Sequence, residues 1–278
     1  MLINSDLHMH SEASYDSKLP LSEIYEAMNQ NGFSLMGITD HANFNDRSFL
    51  GDIKRSSEIV GEFQKTHSGI ILGVELTPIE KPEFDYIAKT GTREGYVAPT
   101  QSAPFDIELA MTKEEMLALG IRYAIGASHW RVDVPGGKGL HTDRDVCIRE
   151  WYRQQMYLAC DERVTVLGHP WWIWEALWYE DFSVIPHSMN LDIIAALKEN
   201  GKYVECNSGM FTDDHIGERF RAQYAEFLRE CFEMGVPVTY GSDSHTQYNN
   251  GHIETEKYLR AAGFCDGDIS EIAEKDLW

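Results

Sequence analysis

Short apolar, strand-forming runs recur along this chain, and each leads into a histidine or a carboxylate. Residues 1–7 lead into His8 and His10, residues 34–39 into Asp40 and His41, and residues 70–74 into Glu75. Residues 123–127 lead to His129, residues 164–167 to His169, and residues 236–240 to Asp243 and His245. A fold that uses these residues together must deliver many strand ends to one place. Parallel strands with covering helices do so, because every strand points its end at the same rim.

Helix-like stretches separate the runs. Residues 21–31 read as a helix with Ser22 as N-cap and Gly32 as its stop. Residues 49–66 place Ile53, Ile59, Val60 and Phe63 on one face. Residues 113–119, 144–160, 191–200, 217–234 and 254–262 also read as helices, and residues 202–206 as a strand. Within residues 81–112, an extra strand is expected at 84–88. The alternation predicts an α/β protein with a parallel sheet.

The chain has 278 residues, 43% hydrophobic, with no Pro/Ser-rich linker, which suits one domain over 1–278. A formal net charge of -21 argues against nucleic acid as a partner. The five cysteines form no Cys-x-x-Cys pair, as expected of reduced thiols in a cytoplasmic protein. No signal peptide or membrane span is expected. The sequence leaves the oligomeric state open.

In a strand, side chains at i and i+2 share a face, so Asp6, His8 and His10 project together, and Asp243 and His245 repeat that spacing. A lone His-x-His pair is as often an ordinary core or surface feature. The joint set points to a site for two or three divalent ions. Mixed nitrogen and oxygen ligands suit zinc, iron or manganese, which activate water near neutral pH.

Asp6-Leu7-His8-Met9-His10, Asp16, Thr39-Asp40-His41, Gly73-Val74-Glu75, Ser128-His129, Gly168-His169-Pro170 and Gly241-Ser242-Asp243-Ser244-His245 together resemble the polymerase-and-histidinol-phosphatase (PHP) superfamily. The resemblance implies a distorted (β/α)7 TIM-like barrel of the PHP type. It also implies up to three metals and phosphoester hydrolysis. By position, one ion takes His8, His10, Glu75 and Asp243. A second shares Glu75 and adds His129 and His169. A third takes Asp16, His41 and His245. Asp6 and Asp40 are expected to orient ligating imidazoles. The acid that protonates the leaving group stays open between Asp16, His245 and a water on the metals.

Arg131, Trp171, Trp172 and Asn207 are the candidates for substrate contact. The Gly-rich stretch 135–139 reads as a loop, possible as a lid. Phe211 stands where the histidinol-phosphate phosphatases would place a basic residue, which leaves the substrate open. The expected activity is hydrolysis of a small anionic phosphorylated metabolite, in which the ions polarise a bridging water for in-line attack on phosphorus. A phosphodiesterase, an amidohydrolase-type enzyme acting on a C–N or C–O bond, and a non-catalytic metal-binding domain are the competing readings.

Overall fold

The computed structural model describes residues 1–44, 49–99, 105–129, 144–172 and 181–278. Along the chain, β1 (Ser5–Met9) is followed by α1 (Leu21–Asn31), β2 (Leu35–Ile38), β3 (His41–Ala42) and α2 (Phe49–Gln64). Next come β4 (Ile70–Leu72), β5 (Val74–Leu76), β6 (Ile79–Glu80), α3 (Lys81–Thr90), β7 (Ile107–Glu108) and α4 (Lys113–Ala118). Then follow β8 (Ala124–Gly126), α5 (Arg144–Cys160), β9 (Val166–Leu167), α6 (His187–Glu199) and β10 (Tyr203–Asn207). The last elements are α7 (Gly209–Thr212), α8 (Glu218–Glu233), β11 (Val238–Gly241) and α9 (His252–Ala261).

The strands pair in parallel as β1-β2-β4 and as β11-β10-β9-β8-β5-β3, with a small antiparallel β6-β7 pair outside them. β2 runs on into β3 across Thr39-Asp40, and β4 into β5 across Gly73, so the two sheets are joined along the same chain paths. The free edges also meet. Asp243 N donates to His8 O at 2.8 Å and His10 N to Ser244 O at 3.0 Å, tying the end of β11 to β1. The α/β class and the parallel sheet are therefore those the alternation predicts.

One strand side packs around Leu7, Ile71, Tyr123, Ile125, Val166 and Tyr203. The other packs against the helices through Ile24, Ile53, Leu158, Ile194 and Leu228, among others. Tyr123 is fully buried and donates to Leu7 O at 2.6 Å, so its phenol carries no unsatisfied polar group into the core. A Cβ at Gly73 would lie 2.6 Å from the Tyr123 ring, so only glycine lets that ring fill the centre.

Three local expectations change. Residues 84–88 lie in α3, not in a strand, because Phe84, Ile87 and Ala88 follow helical i, i+3, i+4 spacing and Pro82 suits a first turn. The run 70–75 is two short strands broken at Gly73. Helix α1 is entered from Pro20 rather than capped by Ser22, and the Leu21 N–H is satisfied by Glu12 Oε2 at 3.0 Å. Gly32 does stop α1, at φ 68. No helix among the described residues is long and apolar enough to cross a membrane.

Candidate metal centre

The strand ends converge on Glu75, at the middle of β5 and fully buried. Its Oε1 lies 3.1 Å from His129 Nε2, 3.2 Å from His169 Nε2 and 3.4 Å from His8 Nε2. Its Oε2 lies 2.6 Å from His41 Nδ1 and 3.5 Å from His10 Nε2. Asp243 Oδ1 closes the group on the far side, 3.2 Å from His10 Nε2 and 3.6 Å from His8 Nε2. A register irregularity in β1 between Asp6 and Met9 does not separate His8 from His10, whose rings sit 5.2 Å apart.

A second grouping adjoins the first. Asp16 Oδ2, His41 Nε2 and His245 Nε2 form a triangle with sides of 3.1, 3.4 and 3.6 Å. Donors bound tetrahedrally to one zinc at about 2.0–2.2 Å stand roughly 3.3–3.6 Å apart, so these separations fit an ion.

Hydrogen bonding supports that fit. His8 Nε2, His41 Nδ1 and Glu75 Oε2 are buried without a hydrogen-bond partner, although His41 Nδ1 and Glu75 Oε2 nearly touch. With His41 Nε2 in the triangle, His41 Nδ1 carries a proton toward Glu75 Oε2, and the His8 Nε2 lone pair is the one left for a cation. An unpaired buried polar atom otherwise costs about 1–3 kcal/mol.

Electrostatics agree. Burial would raise the Glu75 carboxyl, but the His129, His41 and His8 imidazoles hold it well below the usual range. Burial would lower His41, yet Glu75 and Asp16 push it up to about 10. The pocket is thus an anionic field that collects positive charge, as protons or as metal ions.

Two partners fix ring tautomers. Glu205 Oε1 accepts from His8 Nδ1 at 2.6 Å, leaving His8 Nε2 as the lone-pair nitrogen that faces Glu75. The other Glu205 oxygen accepts from His169 N at 2.5 Å. Glycine at 241 makes this possible, since a Cβ there would stand 2.0 Å from Glu205 Oε1. Thr77 Oγ1 lies 2.9 Å from His129 Nδ1 and donates its only proton to Asn43 Oδ1. It must therefore accept from His129, whose Nε2 is left free to ligate.

Sequence reading gave Glu205 no role. The signal was available: a carboxylate inside an apolar strand, two residues before Asn207 and so on the same face. We expect Glu205→Gln to weaken the first ion's binding by roughly 10- to 100-fold, measured by competition with a chromophoric chelator.

Other expectations are corrected. Among the described residues, Asp6 and Asp40 accept no hydrogen bond from a ring nitrogen, because backbone amides and the Tyr248 and Ser11 hydroxyls occupy them. Asp6 Oδ1 takes Ser242 N at 2.9 Å, and Asp40 Oδ1 takes Ser11 N at 2.6 Å. They hold the turns beside Asp243 and His10. Burial pushes the Asp6 carboxyl up to about 6. Trp171 is in the core, stacked on Phe182 with centroids 3.6 Å apart, and so does not line the cleft. Asn207 is buried and donates to Glu205 and Asp243 at 3.4 Å each, so it holds these carboxylates instead of reaching solvent.

Trp172 does line the cleft, a hollow of about 260 Å³, with Tyr15, Asp16, His41, Asn43, His129, His169, Asp243 and His245. Arg131 and the 135–139 loop lie outside the described residues. Phe211 is fully buried, where a charge would be costly. Asp243 at φ 55 and His169 at φ 22 are the non-glycine residues with positive φ among those described. Backbone strain thus falls on two members of the cluster.

Residues 6–209 match the PHP domain family. Over 62 residues the chain is 37% identical to a probable phosphatase of Acetivibrio thermocellus, covering 22% of this chain and 24% of that protein. It is 30% identical over 90 residues to a probable phosphatase of Thermoanaerobacter sp. (strain X514), covering 30% of this chain and 35% of the relative. The chain thus spans about a quarter to a third of the length of the curated relatives it matches. Its fold is similar to a histidinol phosphate phosphatase from Lactococcus lactis, solved with zinc, L-histidinol and phosphate. That likeness has a TM-score of 0.68 at 17% identity and covers 100% of this chain and 99% of the other. At such identity the fold is what the two share.

Proposed function

The chain belongs to the PHP domain family, and from that premise we propose that it is a metal-dependent phosphoesterase acting on a small phosphorylated metabolite. The observation that carries this reading is Glu75, with imidazole nitrogens of His8, His41, His129 and His169 within 3.4 Å of its two oxygens. The bound phosphate of the Lactococcus lactis neighbour agrees with it.

Glu75 would bridge two ions, one also held by His8, His10 and Asp243, the other by His129 and His169. Asp16, His41 and His245 would hold a third. Zinc, iron and manganese all suit this donor set. Bound there, such ions supply Lewis acidity toward phosphoryl oxygens and a water activated near neutral pH.

The chain's own residues do the rest. Glu205 and Thr77 keep two imidazoles in the tautomer that ligates. No Lys or Arg lines the cleft among the described residues, whereas Asp16 and Asp243 do. The described lining therefore repels an anionic ester from the bare cleft, and cations bound there would attract it. Trp172 and Tyr15 give the mouth two aromatic surfaces for the remainder of the substrate.

The test is a substrate panel on protein stripped of metal and reloaded with zinc, manganese or iron separately. A phosphomonoester, a phosphodiester, a lactone and an amide are compared by phosphate release and by product analysis. Release of phosphate from the monoester is expected. Turnover of the amide or lactone with neither phosphoester touched would overturn the reading.

A further inference from the structure

Tyr15 has no part in the metal groupings, yet it stands at their mouth. The residue is 62% exposed and lines the cleft, and its ring lies 5.8 Å from the His41 ring.

A chain of hydrogen bonds joins it to His129. His129 Nδ1 meets Thr77 Oγ1 at 2.9 Å, Thr77 donates to Asn43 Oδ1, and Asn43 Nδ2 donates to Tyr15 Oη at 3.1 Å. Such a chain has two polarities. If Tyr15 donated into it, the amide of Asn43 would turn over, Thr77 would donate to His129 Nδ1, and His129 Nε2 would carry the proton. A protonated Nε2 cannot ligate. A cation on His129 Nε2 therefore selects the other direction, in which every donor points toward Tyr15 and the Tyr15 proton is left over. The nearby acceptor for it is the Asp16 carboxylate. An ion in the Asp16–His41–His245 triangle would compete for that carboxylate and leave the phenolic O–H available to a ligand in the cleft.

The direction of attack tells what meets it. Glu75 and its imidazoles lie at the buried floor, so an in-line displacement starting there expels the leaving group toward the mouth. Building on the phosphoesterase reading, we propose that Tyr15 donates a hydrogen bond to the leaving-group oxygen of the ester, with its orientation set by the Asn43–Thr77–His129 chain. As the P–O bond breaks, both electrons stay on that oxygen, and the Tyr15 O–H shares its proton with the growing charge. Water returns the final proton to the departing alcohol.

The experiment compares wild type and Tyr15→Phe, both zinc-loaded, on an alkyl phosphate and on p-nitrophenyl phosphate. The exposed ring is retained, so the variant should fold. A hydrogen bond to a charged oxygen is worth roughly 10- to 100-fold. We expect that loss in kcat for the alkyl ester and a change within about 3-fold for p-nitrophenyl phosphate, whose leaving group needs no help. Zinc content should be unchanged. Nitrogen-15 NMR of the loaded protein should show His129 protonated at Nδ1 in both forms. Equal losses on both esters, no loss on either, a fall in zinc content, or a proton on His129 Nε2 would each overturn the Tyr15 role. A wild type inert toward both esters would instead remove the phosphoesterase reading, and this role with it.

Discussion

Glu75→Gln should yield a folded protein that binds fewer ions and has lost phosphoester turnover by at least about 10³-fold, since even the partners that merely orient ligands are worth roughly 10- to 100-fold. The expectation follows from position. One Glu75 oxygen faces His8, His129 and His169 within 3.4 Å, and the other faces His10 and His41. A carboxylate offers two anionic oxygens and can bridge two cations. A carboxamide offers one neutral acceptor and a pair of N–H donors that no cation accepts. The helical packing does not pass through Glu75, so the circular dichroism spectrum should match wild type. Metal per chain by elemental analysis, with phosphate release on the same samples, checks the prediction. Full metal content with full turnover would remove Glu75 from the centre of the site.

The second large effect concerns stability. Stripping the protein with a strong chelator should lower the melting temperature by about 10 °C or more, and adding zinc or manganese should restore it. An ion present at about a thousand times its dissociation constant stabilises the folded state by roughly 4 kcal/mol. In a chain of this size each kcal/mol moves the midpoint by about 2–4 °C. The sign follows from His8 Nε2, a buried lone-pair nitrogen without a hydrogen-bond partner, and from the anionic oxygens of Glu75 and Asp243 packed beside it, which bound cations would satisfy. Differential scanning calorimetry on stripped and reloaded protein decides it. A midpoint indifferent to metal would mean that these atoms hold nothing.

The clustered histidines and carboxylates were legible because each sits at the end of an apolar run whose length and punctuation mark a strand. His8, His41, Glu75, His129, His169 and Asp243 occur in that context in the sequence and at one rim in the structure. Helix spacing was legible for the same reason, and failed only where a short amphipathic stretch, 84–88, offered too few residues to separate the two periods. What could not be read was which neighbour serves which group. Asp6 and Asp40 precede or flank histidines in sequence, but their carboxylates fold back onto the amides of Ser242 and Ser11. Glu205, 197 residues from His8, takes the orienting task. Trp171 and Trp172 are adjacent, yet one enters the aromatic core and the other the cleft. Contacts between distant strands decide such matters, and no local pattern carries them.

The central claim is that these side chains gather around cations. Anomalous diffraction from crystals grown with zinc, recorded on either side of the zinc absorption edge, tests it most directly. The account predicts zinc peaks beside Glu75, within bonding distance of His8, His10 and Asp243 and of His129 and His169, and a further one among Asp16, His41 and His245. Crystals grown in excess zinc that show no peak there, with the imidazoles hydrogen-bonded to the carboxylates instead, would contradict it.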